Sequence, residues 1–222
     1  MLKLRKINKS YIVGWKSQQV LFDIDFDINP GDYTAIMGRS GSGKSTFMNI
    51  VGMIDNRDSG TYIFDDVDIA DISESNRADI RGSKIWFVFQ SYNLISKLPV
   101  WYQVSLPLFY KWVSRSERRR LAEIMLEKVW LADMLDKLPN QLSGWQQQRV
   151  AIARAIISEP EFILADEPTG ALDTVSSGQV MDIFDKLNQE GKTIVMITHD
   201  DEVAKRAKKT VYLKDGQIVD SL

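Results

Sequence analysis

The nine residues GRSGSGKST, Gly38 to Thr46, constrain this chain more than any other stretch. They form a full G-x-x-x-x-G-K-[ST] phosphate loop, and both flanks agree with it. The buried-type run YTAIM, Tyr33 to Met37, precedes the loop and a helical run follows it. Gly38, Gly41 and Gly43 let the backbone wrap an anion, with Arg39, Ser40, Ser42 and Thr46 completing the stretch. Peptide N–H groups and the helix N-terminus then face the phosphates. Lys44 reaches the outer ones, and Ser45 is placed to ligate magnesium.

Such a loop works beyond the carboxyl end of a strand in a mainly parallel sheet. Three further apolar runs end in a polar residue: KIWFVF (Lys84 to Phe89) in Gln90, EFILA (Glu161 to Ala165) in Asp166-Glu167, and TIVMIT (Thr193 to Thr198) in His199. The first thirty residues alternate apolar and acidic positions and predict half-exposed antiparallel strands beside that sheet, joined by Thr61 to Val67. From Gln90 to about Ile157 the pattern turns helical. SRSE (Ser114 to Glu117) reads as a capping box before RRRLAEIMLEKV, whose Leu121, Ile124, Met125 and Val129 share a face. The expectation is a single α/β domain over 1–222. Its core takes about 1–90 and 158–222 with an N-terminal antiparallel β subdomain, and a helical lobe is inserted at about 91–157.

A net charge of -2 shows no basic surface for nucleic acid, so any phosphate must be held locally. The absence of cysteine excludes a disulfide framework and a thiolate metal site. No run approaches the roughly 18 apolar residues of a membrane span, and Met1 to Ser10 lacks a signal-peptide core. These features predict a cytoplasmic protein that meets a membrane only through a partner.

FILADE, Phe162 to Glu167, delivers Asp166 toward magnesium and sets Glu167 beside it, where a carboxylate can activate the water that attacks a terminal phosphate. A lone histidine is more often structural than catalytic. His199 stands at the same sheet edge, however, and could orient Glu167 or the water. Gln90 could ligate magnesium or sense the phosphate.

Together these pieces resemble the nucleotide-binding subunit of an ABC transporter, over nearly the whole chain. LSGWQQQR (Leu142 to Arg149) is similar to that family's signature, usually LSGGQ. The resemblance implies a P-loop NTPase fold with a RecA-like parallel core, ATP and Mg2+ as ligands, and ATP hydrolysis. It matches Gln90 to the Q-loop glutamine, Ala171-Leu172-Asp173 to the D-loop, and His199 to the switch histidine. Tyr11 matches the aromatic that stacks on adenine, with Trp15 as a competing candidate. It also implies two copies in a head-to-tail sandwich, in which Ser143 and the Gly144 N–H complete the partner's ATP site. SGSGKSTFMNIVGMID, LADEPTGALDTVSSGQVM and THDDEVAKRA are similar to the macrolide-exporter and lipoprotein-releasing branch. That branch implies an integral membrane permease with a large extracytoplasmic domain, and a chain held at the inner face of the membrane. The permease's coupling helix would dock beside Gln90, along Ser91 to Val100. Two other readings are a regulatory module signalling to a cell-envelope protein without transport, as in the cell-division relatives, and a translation-type ATPase. The last normally needs two such domains in tandem, and this chain has room for one.

The chain departs from the family at its tryptophans, of which it has six. Trp145 occupies the signature's second glycine, and Trp15, Trp86, Trp112 and Trp130 also fall where relatives typically carry glycine; Trp101 need not belong to this set. Either these are native tryptophans filling packing gaps, or UGA codons meaning glycine in the source organism have been read as tryptophan. With Trp145 in place, the expectation is a chain that binds ATP but dimerises and turns over poorly.

Overall fold

The computed structural model describes residues 1–221. Six strands build the larger sheet: β3 (Tyr33–Met37), β6 (Ile85–Phe89), β7 (Phe162–Asp166), β8 (Thr193–Thr198), β9 (Lys209–Lys214) and β10 (Gln217–Val219), in the order β10-β9-β3-β8-β7-β6. All pairings are parallel except that of β9 with β10. A second, antiparallel sheet has the order β2-β1-β4-β5, from β1 (Leu2–Val13), β2 (Lys16–Ile28), β4 (Ser59–Phe64) and β5 (Val67–Asp68). The fold is that of an α/β P-loop NTPase with an antiparallel β sheet beside its parallel one.

The near-continuous apolar strands follow from burial on both sheet faces. Successive side chains alternate faces, so Ile163 and Ala165 of β7 and Ile194 and Met196 of β8 join one core with helices α3 (Val100–Tyr110), α4 (Arg115–Lys128), α5 (Gly144–Ile156) and α6 (Thr174–Gln189). Phe162 and Leu164, with Val195 and Ile197, join the other, which takes in α1 (Lys44–Val51) and the inner face of the antiparallel sheet. Each of the larger fully buried side chains among these contributes about 1.5–3 kcal/mol. No helix among the described residues is long and apolar enough to cross a membrane.

Some boundaries differ from the sequence reading. Lys84 is not in a strand: it ends α2 (Glu74–Lys84), a helix the reading omits, and its ammonium bonds Asp65 at 2.5 Å. α2 buries none of its residues, so apolar periodicity could not reveal it; the visible signal is Ser73, whose hydroxyl accepts from the Asn76 N–H. The SRSE capping box is half formed. Ser114 accepts from the Glu117 N–H, but the Glu117 carboxylate takes two bonds from Arg120 instead of reaching back. On α4, Ala122 and Leu126 are fully buried while Leu121 and Ile124 are only partly so, because α3 and α5 cover the helix from two sides.

Helices α3 and α4 end alike. Trp112 and Trp130 follow them with left-handed backbones, at φ 58° and φ 57°. The Trp112 N–H donates to Phe109 O at 3.1 Å and the Val113 N–H to Leu108 O at 3.2 Å. Correspondingly, the Trp130 N–H donates to Glu127 O at 3.0 Å and the Leu131 N–H to Leu126 O at 2.8 Å. These paired bonds are Schellman caps, whose left-handed residue is usually glycine because a Cβ there costs about 1–2 kcal/mol. The other four tryptophans do not have left-handed backbones, Trp101 among them. Trp15 lies exposed at the β1–β2 hairpin tip, Trp86 lies in β6 with its indole N–H buried and unpartnered among the described residues, and Trp145 lies in the first turn of α5.

Candidate functional site

The sheet register brings the polar strand ends together. Asp166 pairs with Phe89 on one side and Ile197 on the other, so Gln90 and His199, one and two residues further on, emerge at the same edge. β3, paired in register with β8, delivers the phosphate loop there too. Ser40, Gly41, Gly43, Lys44, Ser45 and Thr46 face Gln90, Asp166, Glu167 and His199 across a cleft of about 650 Å³. Val20 of β2 also lines it, a position that nothing in its sequence context singles out.

Gly43 caps α1 at φ 100°, and a Cβ there would lie 3.0 Å from Leu21 and 3.2 Å from the Val20 carbonyl. Only glycine fits this tight left-handed approach. No side chain caps α1, so the first-turn N–H groups of Lys44, Ser45 and Thr46 are free to bind an anion. The Lys44 ammonium donates to the carbonyls of Gly38 at 2.6 Å and Arg39 at 2.9 Å, which holds it along the loop. Arg39 and Ser42 face away from the main cleft, toward Leu213 to Asp215.

Opposite the loop, His199 Nδ1 and Glu167 Oε1 are 2.7 Å apart. The Glu167 side chain is 16% exposed and that of His199 70%, so the imidazole shields the carboxylate while facing outward itself. Burial raises the Asp166 pKa above its usual range, the adjacent Glu167 charge adds to this, and Lys44 opposes it. The Gln90 amide packs over Gly170, where a Cβ would come within 2.8 Å of it, and this directs the side chain along the turn that follows Glu167.

Other expected site residues lie outside the cleft. The Tyr11 hydroxyl donates to Asp55 at 2.6 Å and its ring carries the Lys9 ammonium 5.0 Å from its centroid. Tyr11 is thereby fixed near the loop, with Thr46 within reach of its hydroxyl. The competing Trp15 is fully exposed. Ser143 caps α5, its N–H donating to Gln146 Oε1 at 2.9 Å, and its side chain is exposed. Neither Ser143 nor Gly144 lines this chain's own cleft. Asp173 caps α6, accepting from the Ser176 N–H at 3.0 Å and hydroxyl at 2.7 Å, and these bonds hold its carboxyl below the usual range. The half-buried Trp145 ring lies against Arg149, whose guanidinium is 4.4 Å from that ring's centroid and 5.0 Å from that of Trp130.

The donor set fits a hard cation. The Ser45 hydroxyl, the Gln90 amide oxygen and the Asp166 carboxylate are oxygen ligands suited to magnesium rather than to a soft metal. No group of three His, Cys, Asp or Glu among the described residues could hold a metal ion unaided. The three oxygen donors of Ser45, Gln90 and Asp166 leave the rest of such a cation's shell to oxygens from outside the protein, of water or phosphate.

The ABC transporter family profile matches residues 21–170. The uncharacterized ABC transporter ATP-binding protein YvrO of Bacillus subtilis strain 168 is 50% identical over 219 residues, covering 99% of this chain and 96% of that protein. The macrolide export ATP-binding/permease protein MacB of Campylobacter fetus subsp. fetus is 44% identical over 219 residues; the match covers 99% of this chain but 34% of MacB. Among solved structures, a dimeric ATP-binding cassette in a post-hydrolysis state with ADP and Pi superimposes with a TM-score of 0.91 at 42% identity, covering 98% of this chain and 96% of the other.

Proposed function

The chain belongs to the ABC transporter family as an ATP-binding cassette, and from that premise we propose that it hydrolyses ATP as one of two copies serving a membrane permease of the macrolide-exporter branch. The observation that carries this reading is the convergence of the loop residues Lys44 and Ser45 with Asp166 and the Glu167–His199 pair on one sheet edge.

The α1 N-terminus and Lys44 hold the phosphates and take up the negative charge that grows on the terminal group. Ser45, Gln90 and Asp166 would hold magnesium, which when bound with the nucleotide neutralises phosphate charge. Glu167 accepts a proton from the attacking water, and His199 keeps its carboxylate aimed. Tyr11 stacks on the base. Ser143, Gly144 and Asp173 act across the seam of a head-to-tail pair; their absence from this chain's own cleft and the dimeric form of the similar cassette support this. In this reading the helical lobe spans about 91–157, and the permease, with its extracytoplasmic domain, docks along Ser91 to Val100. The chain thus sits on the cytoplasmic face of the membrane. Trp145, in the signature, obstructs close approach of the partner's phosphate.

Glu167→Gln tests the assignment in a Trp145→Gly background. Turnover should fall at least about 100-fold while ATP binding is retained. Undiminished turnover in Glu167→Gln would remove Glu167 from its role as base.

A further inference from the structure

Gln148 has no part in the phosphate site, yet it is entirely buried and its Nε2 donates to the Pro168 carbonyl at 2.7 Å. Its own Oε1 has no partner among the described residues. Burying an amide with half its capacity unused costs stability, so a core chosen only for packing would favour an apolar side chain of this shape. Pro168 directly follows Glu167, whose backbone is left-handed at φ 45°. That conformation is disfavoured for a non-glycine residue, and the residue before a proline is further restricted. Such a turn persists only if its surroundings hold it.

Three bonds do so. The Glu167 N–H donates to Ile197 O at 2.9 Å, the Gly170 N–H donates to Glu167 O at 3.0 Å, and Gln148 fastens the Pro168 carbonyl between them. Proline has no N–H, so that carbonyl is its only backbone polar group. The first two bonds are made by the sheet and by the turn itself. The third comes from α5, the helix that opens at Ser143 and Gly144.

We propose that Gln148 is a positioning residue, tying the signature helix to the turn that carries Glu167, so that the contact α5 makes with a partner's nucleotide is passed to this chain's own site. The catalytic consequence rests on Glu167 being the base; the tether itself does not. Gln148→Met keeps the shape and removes the donor. Gln148→Glu can restore the bond only when its buried carboxyl is protonated, since only the neutral form donates to a carbonyl.

Hydrogen–deuterium exchange on the full chain reads the tether without requiring turnover. In Gln148→Met, amides of 167–172 should exchange about three- to tenfold faster, the effect of one lost hydrogen bond, while those of β7 and β8 stay unchanged. Gln148→Glu should regain protection as the pH is lowered and Gln148→Met should not. Unchanged exchange at 167–172, or equal acceleration throughout the chain, overturns the proposal. In the Trp145→Gly background, Gln148→Met should lower kcat about tenfold with KM for ATP unchanged, and Gln148→Glu should recover kcat toward acid pH. A loosened turn with undiminished kcat overturns the positioning role and leaves only a structural tether, whereas the role of Glu167 as base stands or falls on Glu167→Gln.

Discussion

At Asp166, burial and the neighbouring Glu167 charge both disfavour the ionised carboxyl that a metal requires, and Lys44 only opposes them. A carboxyl whose pKa is raised on folding costs stability where it is ionised, and the cost is relieved as pH falls through the folded value. Asp166→Asn should therefore raise the nucleotide-free melting temperature at neutral pH by about 2 °C, and the gap to the unsubstituted chain should close on acidification. The same substitution should abolish the tightening of nucleotide binding by magnesium. A melting temperature that falls instead would show that the carboxylate is held by favourable partners. Phosphate loop, acidic pair and histidine were legible as single residues because each stands where an apolar run stops. Gln148 was not: a glutamine between two other polar residues in a signature motif gives no sign that its side chain turns inward.

The two Schellman caps place the tryptophan question at the level of the element. Trp112 is exposed, while Trp130 lends its ring to Arg149, so relief of left-handed strain is offset by lost stacking only at the second. Trp112→Gly should stabilise the chain by about 1 kcal/mol and Trp130→Gly by less, as measured by chemical denaturation. Destabilisation by Trp112→Gly would show that its indole is a working part of the surface. The coding DNA is the complementary test: UGA at positions 15, 86, 112, 130 and 145 supports misread glycine codons, and UGG rules them out. Strands β3 and β8 were readable to the residue because burial on both faces leaves an uninterrupted apolar run bounded by polar residues. Helix α2 was not, since a wholly surface helix has no apolar stripe, and the Glu117 side chain could not be placed because Arg120 competes with the cap.

For the whole molecule, the proposed mechanism makes the cleft one half of a site. The groups proposed to bind and activate come from strand ends and α1, whereas Ser143 and Gly144 lie away from the cleft at the start of α5. ATP should bind to the chain but fail to drive it into a dimer, and Trp145→Gly should restore the dimer, as read by light scattering after size exclusion. ATP-driven dimerisation of the unsubstituted chain at normal affinity would show that the indole does not obstruct the seam. The sequence could indicate the need for a second copy only through the family's signature, because no residue spacing within one chain encodes a contact made between two. The placement of Trp145 against Arg149 also makes the chain its own optical reporter. A half-buried indole stacked on a cation emits differently from the exposed Trp15 and Trp112, which a soluble quencher should silence first. The surviving emission also carries the buried Trp101 and the partly buried Trp86, so the part of it that is lost in Trp145→Phe is the part that should shift when a second copy or a permease covers the signature.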